Sequence, residues 1–95
     1  MRQPAIYMMA NFKNGAIYIG VTSGLIKRVY EHRNDIIKGF TSRYGCKRLV
    51  YYELCETMIV AITREKQLKK GSREKKIKLI QSTNPDWLDL YPEII

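Results

Sequence analysis

The 95 residues carry 17 Lys and Arg against nine Asp and Glu, a net charge of +8, with 45% apolar content. That length holds one hydrophobic core, the apolar content excludes a disordered chain, and no apolar run, 5–10 and 58–62 included, exceeds six residues, far too short to cross a membrane. Two cysteines and one histidine exclude a disulfide framework and a closed zinc centre, so Cys46 and Cys55 read as reduced structural thiols.

A single domain over residues 1–95 is expected, since no linker, repeat or low-complexity segment divides the chain. Met1-Arg2-Gln3-Pro4 leads straight into a strand-like segment without the apolar stretch of a signal peptide, which makes the cytoplasm the expected location.

Residues 5–11 and 16–22 are rich in Ile, Tyr, Val and Met, and Asn14-Gly15 lies between them. Both residues tolerate positive φ, so strand, turn, strand is predicted. Thr22-Ser23-Gly24 offers a helix start, and Leu25, Val29, His32 and Ile36 then recur on one helical face. That helix is predicted to run to about residue 38, with Gly39 ending it. Residues 40–47 read as a polar loop, and Arg48 to Leu54 as a third strand. Thr57 is a plausible N-cap for a second helix with Met58, Ala61, Ile62 and Leu68 along its inner stripe. Gly71 interrupts it, Ser72 caps a further segment ending near Ile80, and Asn84-Pro85 reads as an N-cap before a short turn carrying Trp87, Leu88 and Leu90. The expected fold is α/β: a small three-stranded, mixed or antiparallel sheet flanked by helices.

Several polar residues fall where the helical period assigns the interior. Glu65 continues the stripe of Met58, Ala61 and Ile62, and a buried carboxylate needs a partner. An ion pair with Arg28 and a bound metal are equally compatible with that position, and both can hold at once. Arg28 and His32 are four apart on one helix face and flank Leu25, Val29 and Ile36. Tyr7 and Tyr18 lie in the two hairpin strands, where aromatics usually serve packing. If Asn14-Gly15 is a two-residue turn, Tyr18 pairs opposite Asn11, and the tyrosines share a face about 13 Å apart, too far to touch. A wider loop would shift that register. Residues 64–78 hold eight Lys and Arg and two Glu, which fits either a solvated helix face or a polyanion-binding surface.

Ala5-Ile6-Tyr7 and Tyr18-Ile19-Gly20, followed in order by Arg28, His32, Glu65 and Asn84, resemble the GIY-YIG nuclease superfamily. The likeness covers nearly the whole chain and is greatest to small standalone members, through Gly-Phe-Thr-Ser-Arg-Tyr-Gly (39–45), Leu-Val-Tyr-Tyr-Glu (49–53), Arg-Glu-Lys-Gln-Leu-Lys-Lys (64–70) and Asn-Pro-Asp-Trp (84–87). Two departures are Ala5 for the first glycine of the signature and Gly71 where standalone members often carry Trp.

The resemblance implies a DNA endonuclease using one Mg²⁺ or Mn²⁺ ion bound by Glu65. It implies Tyr7 as general base assisted by His32, with Tyr18 orienting, or the tyrosines exchanged. Arg28 would stabilise the phosphate, and Asn84 would border the site besides capping a helix. Arg43, Lys66, Lys69, Lys70, Arg73 and Lys76 are the expected DNA-binding residues. Nicked, branched or damaged DNA is the expected substrate, with RNA not excluded. The competing readings are a non-catalytic DNA-binding module and an adaptor for an acidic protein.

Overall fold

The computed structural model describes residues 3–95. Its three strands are β1 (Ala5–Ala10), β2 (Ile17–Thr22) and β3 (Arg48–Leu54), and its helices are α1 (Leu25–Arg33), α2 (Phe40–Tyr44), α3 (Met58–Lys70), α4 (Arg73–Thr83) and α5 (Tyr91–Ile94). The sheet is antiparallel with order β2-β1-β3, so β1 is central and every one of its residues is buried. Its alternating side chains feed two cores. Ile6 and Met8 pack with Val50, Ala61, Ile80 and Trp87 on the α3 and α4 side. Tyr7 and Met9 pack with Leu25, Val29, Cys46 and Leu49 on the α1 side. No helix among the described residues is long and apolar enough to cross a membrane.

The predicted strands form, but the hairpin loop is wider than a two-residue turn. Ala10 pairs with Ile17, which leaves residues 11–16 as the loop. Asn11 organises it, its Oδ1 accepting from the amides of Phe12 and Ala16 at 2.8 and 2.9 Å. Arg73, far along the chain, donates from Nη2 to the carbonyls of Asn14 and Gly15, both at 2.7 Å. These contacts set the pairing Tyr7 with Gly20 and Met9 with Tyr18. The tyrosines are therefore one diagonal step apart on a shared face, and their rings touch.

Helix α1 stops at Arg33 rather than near residue 38. Asp35 takes a left-handed φ of 55°, the Asp35 amide donates to the His32 carbonyl and the Ile36 amide to that of Glu31. This is a Schellman closure with Asp in the position usually held by Gly. Ile36 consequently leaves the helical stripe and is exposed. Residues 40–44 form a helical turn between Gly39 and a left-handed Gly45, not a loop. The caps predicted at Thr57 and Ser72 are made, their hydroxyls accepting from the amides of Val60 and Lys75.

Asn84 corrects another expectation. It closes α4 instead of starting a helix, and residues 87–90 run without helical structure before α5. Its buried amide donates to the carbonyls of Val50 (3.1 Å) and Leu88 (2.8 Å) and accepts from the Leu88 amide (2.9 Å). Those bonds fold the following segment back onto β3 and hold Trp87, fully buried at φ 56°, under the sheet.

Candidate active site

The α1 face of the sheet gathers polar groups that the apolar pattern does not require. Tyr7 is fully buried in β1, and its hydroxyl lies 2.8 Å from His32 Nε2 on α1. The other ring nitrogen, Nδ1, lies 2.9 Å from Thr41 Oγ1 on α2. Tyr18 closes the group, its ring centroid 6.2 Å from that of Tyr7 and 5.5 Å from that of His32. Gly20 stands opposite Tyr7 in the ladder, and a Cβ there would fall well inside contact with the Tyr7 hydroxyl. The signature glycine is thus a steric requirement of the buried phenol.

Burial raises the Tyr7 pKa well above the ordinary phenol value, reinforced by the neighbouring Tyr18 and opposed by Arg28. Burial, with Arg28 adding to it, lowers the His32 pKa below the usual imidazole value, while Glu31 pulls the other way. The resting pair is a neutral phenol and a neutral imidazole. Arg28 reaches both groups electrostatically, bonds weakly to Glu31 at 3.6 Å, and lines a cleft of about 290 Å³ with Val21, Thr22 and Met58.

Of the two partners considered for Glu65, Arg28 and a metal ion, the ion pair with Arg28 does not form. Glu65 Oε2 meets Lys69 Nζ at 3.3 Å, one turn along the same helix, and its side chain retains 15% exposure. Helix α3 runs beside edge strand β2: Met58 near its start shares the Arg28 cleft, and Lys69 near its end shares a groove with Ile17, Tyr18 and Phe40. Glu65 lies between them on that helix. No cluster of three or more His, Cys, Asp or Glu converges among the described residues. A lone, partly open carboxylate suits a hard divalent cation that draws its remaining oxygens from water and phosphate.

The remaining candidates divide. Lys69 and Lys76 line the groove beside Tyr18, and Arg43, Lys66 and Lys70 are exposed. Arg73 is committed to the hairpin-loop carbonyls, and Arg64 to a paired contact with Glu53 at 2.9 Å through both Nε and Nη2. The basic stretch is therefore partly structural. Asn84 spends its amide on backbone atoms and does not join the tyrosines. Thr41 gives no signal in the sequence, because residues 40–47 carry no helical stripe. The two glycines bracketing residues 40–44 were the available signal.

Gly20→Ala is expected to cost about 1–3 kcal/mol of stability, the price of forcing a side chain into a packed site. It should also break the Tyr7–His32 contact. Urea unfolding, with the tyrosine ultraviolet absorbance of the folded protein, checks both.

The fold and this cluster define a small α/β domain with a buried Tyr–His pair beside an arginine and a carboxylate-bearing helix. The GIY-YIG catalytic domain family matches residues 3–78, and the chain belongs to that family. It is 37% identical over 68 residues to the UPF0213 protein SSP2268 of Staphylococcus saprophyticus, spanning 72% of this chain and 83% of that one. It is 37% identical over 70 residues to the UPF0213 protein CPE1444 of Clostridium perfringens, spanning 74% and 75%. The solution NMR structure of the UPF0213 protein BH0048 from Bacillus halodurans superposes with a TM-score of 0.54 at 26% identity, covering 88% of this chain and 87% of that one.

Proposed function

We propose that this chain is an endonuclease that hydrolyses a DNA phosphodiester, acting on nicked, branched or damaged DNA in repair or recombination within the cytoplasm. The observation that carries the reading is the 2.8 Å contact between the Tyr7 hydroxyl and His32 Nε2, within the field of Arg28, in a chain of this family.

The chemistry follows from the tautomer. With Nδ1–H donating to Thr41 Oγ1, the Nε2 lone pair accepts the Tyr7 hydroxyl proton. Tyr7 is too weak an acid to rest as phenolate, so it takes a proton from water as it passes its own to Nε2. The hydroxide attacks phosphorus and the 3′ oxygen leaves. Arg28 stabilises the charge growing on the phosphate oxygens, and Tyr18 holds the Tyr7 ring. Glu65 would hold one Mg²⁺ or Mn²⁺ ion, which supplies positive charge at the scissile phosphate and the leaving oxygen. Lys66, Lys69, Lys70, Lys76 and Arg43 contact backbone phosphates; Arg73 and Asn84 act by holding the fold.

The test is nicking of plasmid and branched DNA with Mg²⁺ or Mn²⁺, compared with the Glu65→Gln and Arg28→Ala variants. Absence of cleavage on every DNA form, with binding intact, would leave a DNA-binding module.

The pH dependence has a definite sign. His32 must be neutral to accept a proton, and its lowered pKa keeps it neutral through the ordinary imidazole value of 6.5. Cleavage should therefore hold down to about pH 6.5 and fall only below it. Stability moves the same way: the unfolded chain takes up the proton first, so stability is full above about 6.5 and declines as pH drops toward the folded pKa. Urea midpoints at about pH 7.5 and about pH 5 for wild type and His32→Gln measure this, and the variant should lose the decline.

A further inference from the structure

Helix α2 buries only Thr41, yet it displays Phe40 at 43% and Tyr44 at 49% exposure. The two rings lie against each other with centroids 4.6 Å apart. Phe40 also stacks on Tyr18, at 6.2 Å and 29° between planes. Tyr18 in turn touches both Tyr7 and His32. An aromatic row thus leads from the buried Tyr–His pair to the surface, and its outer two members contribute little to either core.

The outer end is braced and basic. Gly39 and Ser42 cap α2 through reciprocal hydrogen bonds, and Asn11 Nδ2 donates to the Tyr44 carbonyl at 3.1 Å. Lys69 and Lys76 line a groove of about 270 Å³ with Tyr18 and Phe40, and Arg43 is exposed on the same short helix. Lysines suit phosphates, but the rings need a different partner. A fully paired duplex hides its base faces in its own stack, so an exposed ring pair beside a phosphate-binding groove gains contact only from an unstacked base.

We propose that Phe40 and Tyr44 form a stacking platform for an unpaired nucleobase flanking the scissile phosphate, which makes DNA with an unpaired nucleotide at the cut the preferred substrate. This rests on the nuclease reading above and narrows its substrate. The neighbouring phosphates lie on Lys69, Lys76 and Arg43, and the base stacks on the platform, bringing the cut toward Tyr7.

The test uses the whole protein with EDTA present, so that binding is read without cleavage. The probe is a gapped duplex carrying 2-aminopurine at one unpaired position, beside an intact duplex with that base paired. Quenching of the unpaired probe and an affinity about tenfold above the intact duplex are expected, from one stacked base. Phe40→Leu keeps an apolar side chain against Tyr18, and Tyr44→Ala removes a surface ring. Both should lose the quenching and the tenfold preference while binding the intact duplex as wild type does, with unchanged circular dichroism. Equal affinity for the two duplexes, or quenching that survives both substitutions, overturns the platform. If such a protein still nicks DNA with Mg²⁺, the nuclease reading stands without it. No binding to either duplex overturns both.

Discussion

Glu65→Gln is expected to reduce metal-dependent DNA cleavage by about a thousandfold or more while leaving folding and DNA affinity nearly unchanged. On the proposed role of Glu65, its loss removes several kcal/mol of charge stabilisation at the phosphate, and each 1.4 kcal/mol is roughly tenfold in rate. Among the described residues, the ion pair lost is that with Lys69, an i,i+4 contact to a side chain 53% exposed. Such pairs contribute about 0.3–0.5 kcal/mol. The catalytic effect therefore exceeds the structural one by several-fold in free energy, and a stability explanation is excluded in advance. Single-turnover cleavage across a Mg²⁺ titration, with DNA binding measured in EDTA, checks it. Cleavage within about tenfold of wild type at saturating metal would remove Glu65 from the chemistry.

Asn84→Ala is expected to destabilise the fold by about 3 kcal/mol. The substitution leaves the carbonyl of Val50 and both backbone groups of Leu88 without their buried partner, and each such group costs about 1–3 kcal/mol. The three costs overlap, because the segment can shift toward water once released. Asn84→Asp should be at least as harmful: it keeps the acceptor for the Leu88 amide but turns a carboxylate toward two carbonyls. Urea unfolding gives the loss directly. Where the variant is folded, its cleavage rate per folded molecule should match wild type, since the amide touches no member of the Tyr7–His32 group. A large fall in that rate with full folding would make Asn84 a part of the active site.

How much was readable depended on whether a feature is local. The strands and the caps at Thr57 and Ser72 follow from period and capping chemistry within a few residues, and the structure carries them, whereas the expected inner stripe of α3 holds only in part: Ala61 is buried, but Met58 and Ile62 are exposed and Glu65 keeps 15% side-chain exposure. The stop of α1 at Arg33 is not legible in the sequence, because Asp35 adopts the left-handed conformation usually assigned to Gly while the more obvious helix-ending Gly39 lies further on. The hairpin register stays open in the sequence, between a two-residue turn and a wider loop, for the opposite reason. It depends on Asn11 and on Arg73, a guanidinium from a distant helix, and no turn rule contains that residue.

By itself the sequence determined a polar set, Tyr7, Tyr18, Arg28, His32 and Glu65, standing where an apolar pattern does not want it, on a basic domain of known family pattern. Only the tertiary structure decided that the Tyr7 hydroxyl meets His32, that Tyr18 touches both rings, that Glu65 pairs with Lys69 rather than Arg28, and that Asn84 serves the backbone. The physical reason is reach. Periodicity states which face a side chain occupies, whereas a contact within 3 Å needs the relative placement of strands and helices. Loop closures and long-range hydrogen bonds set that placement.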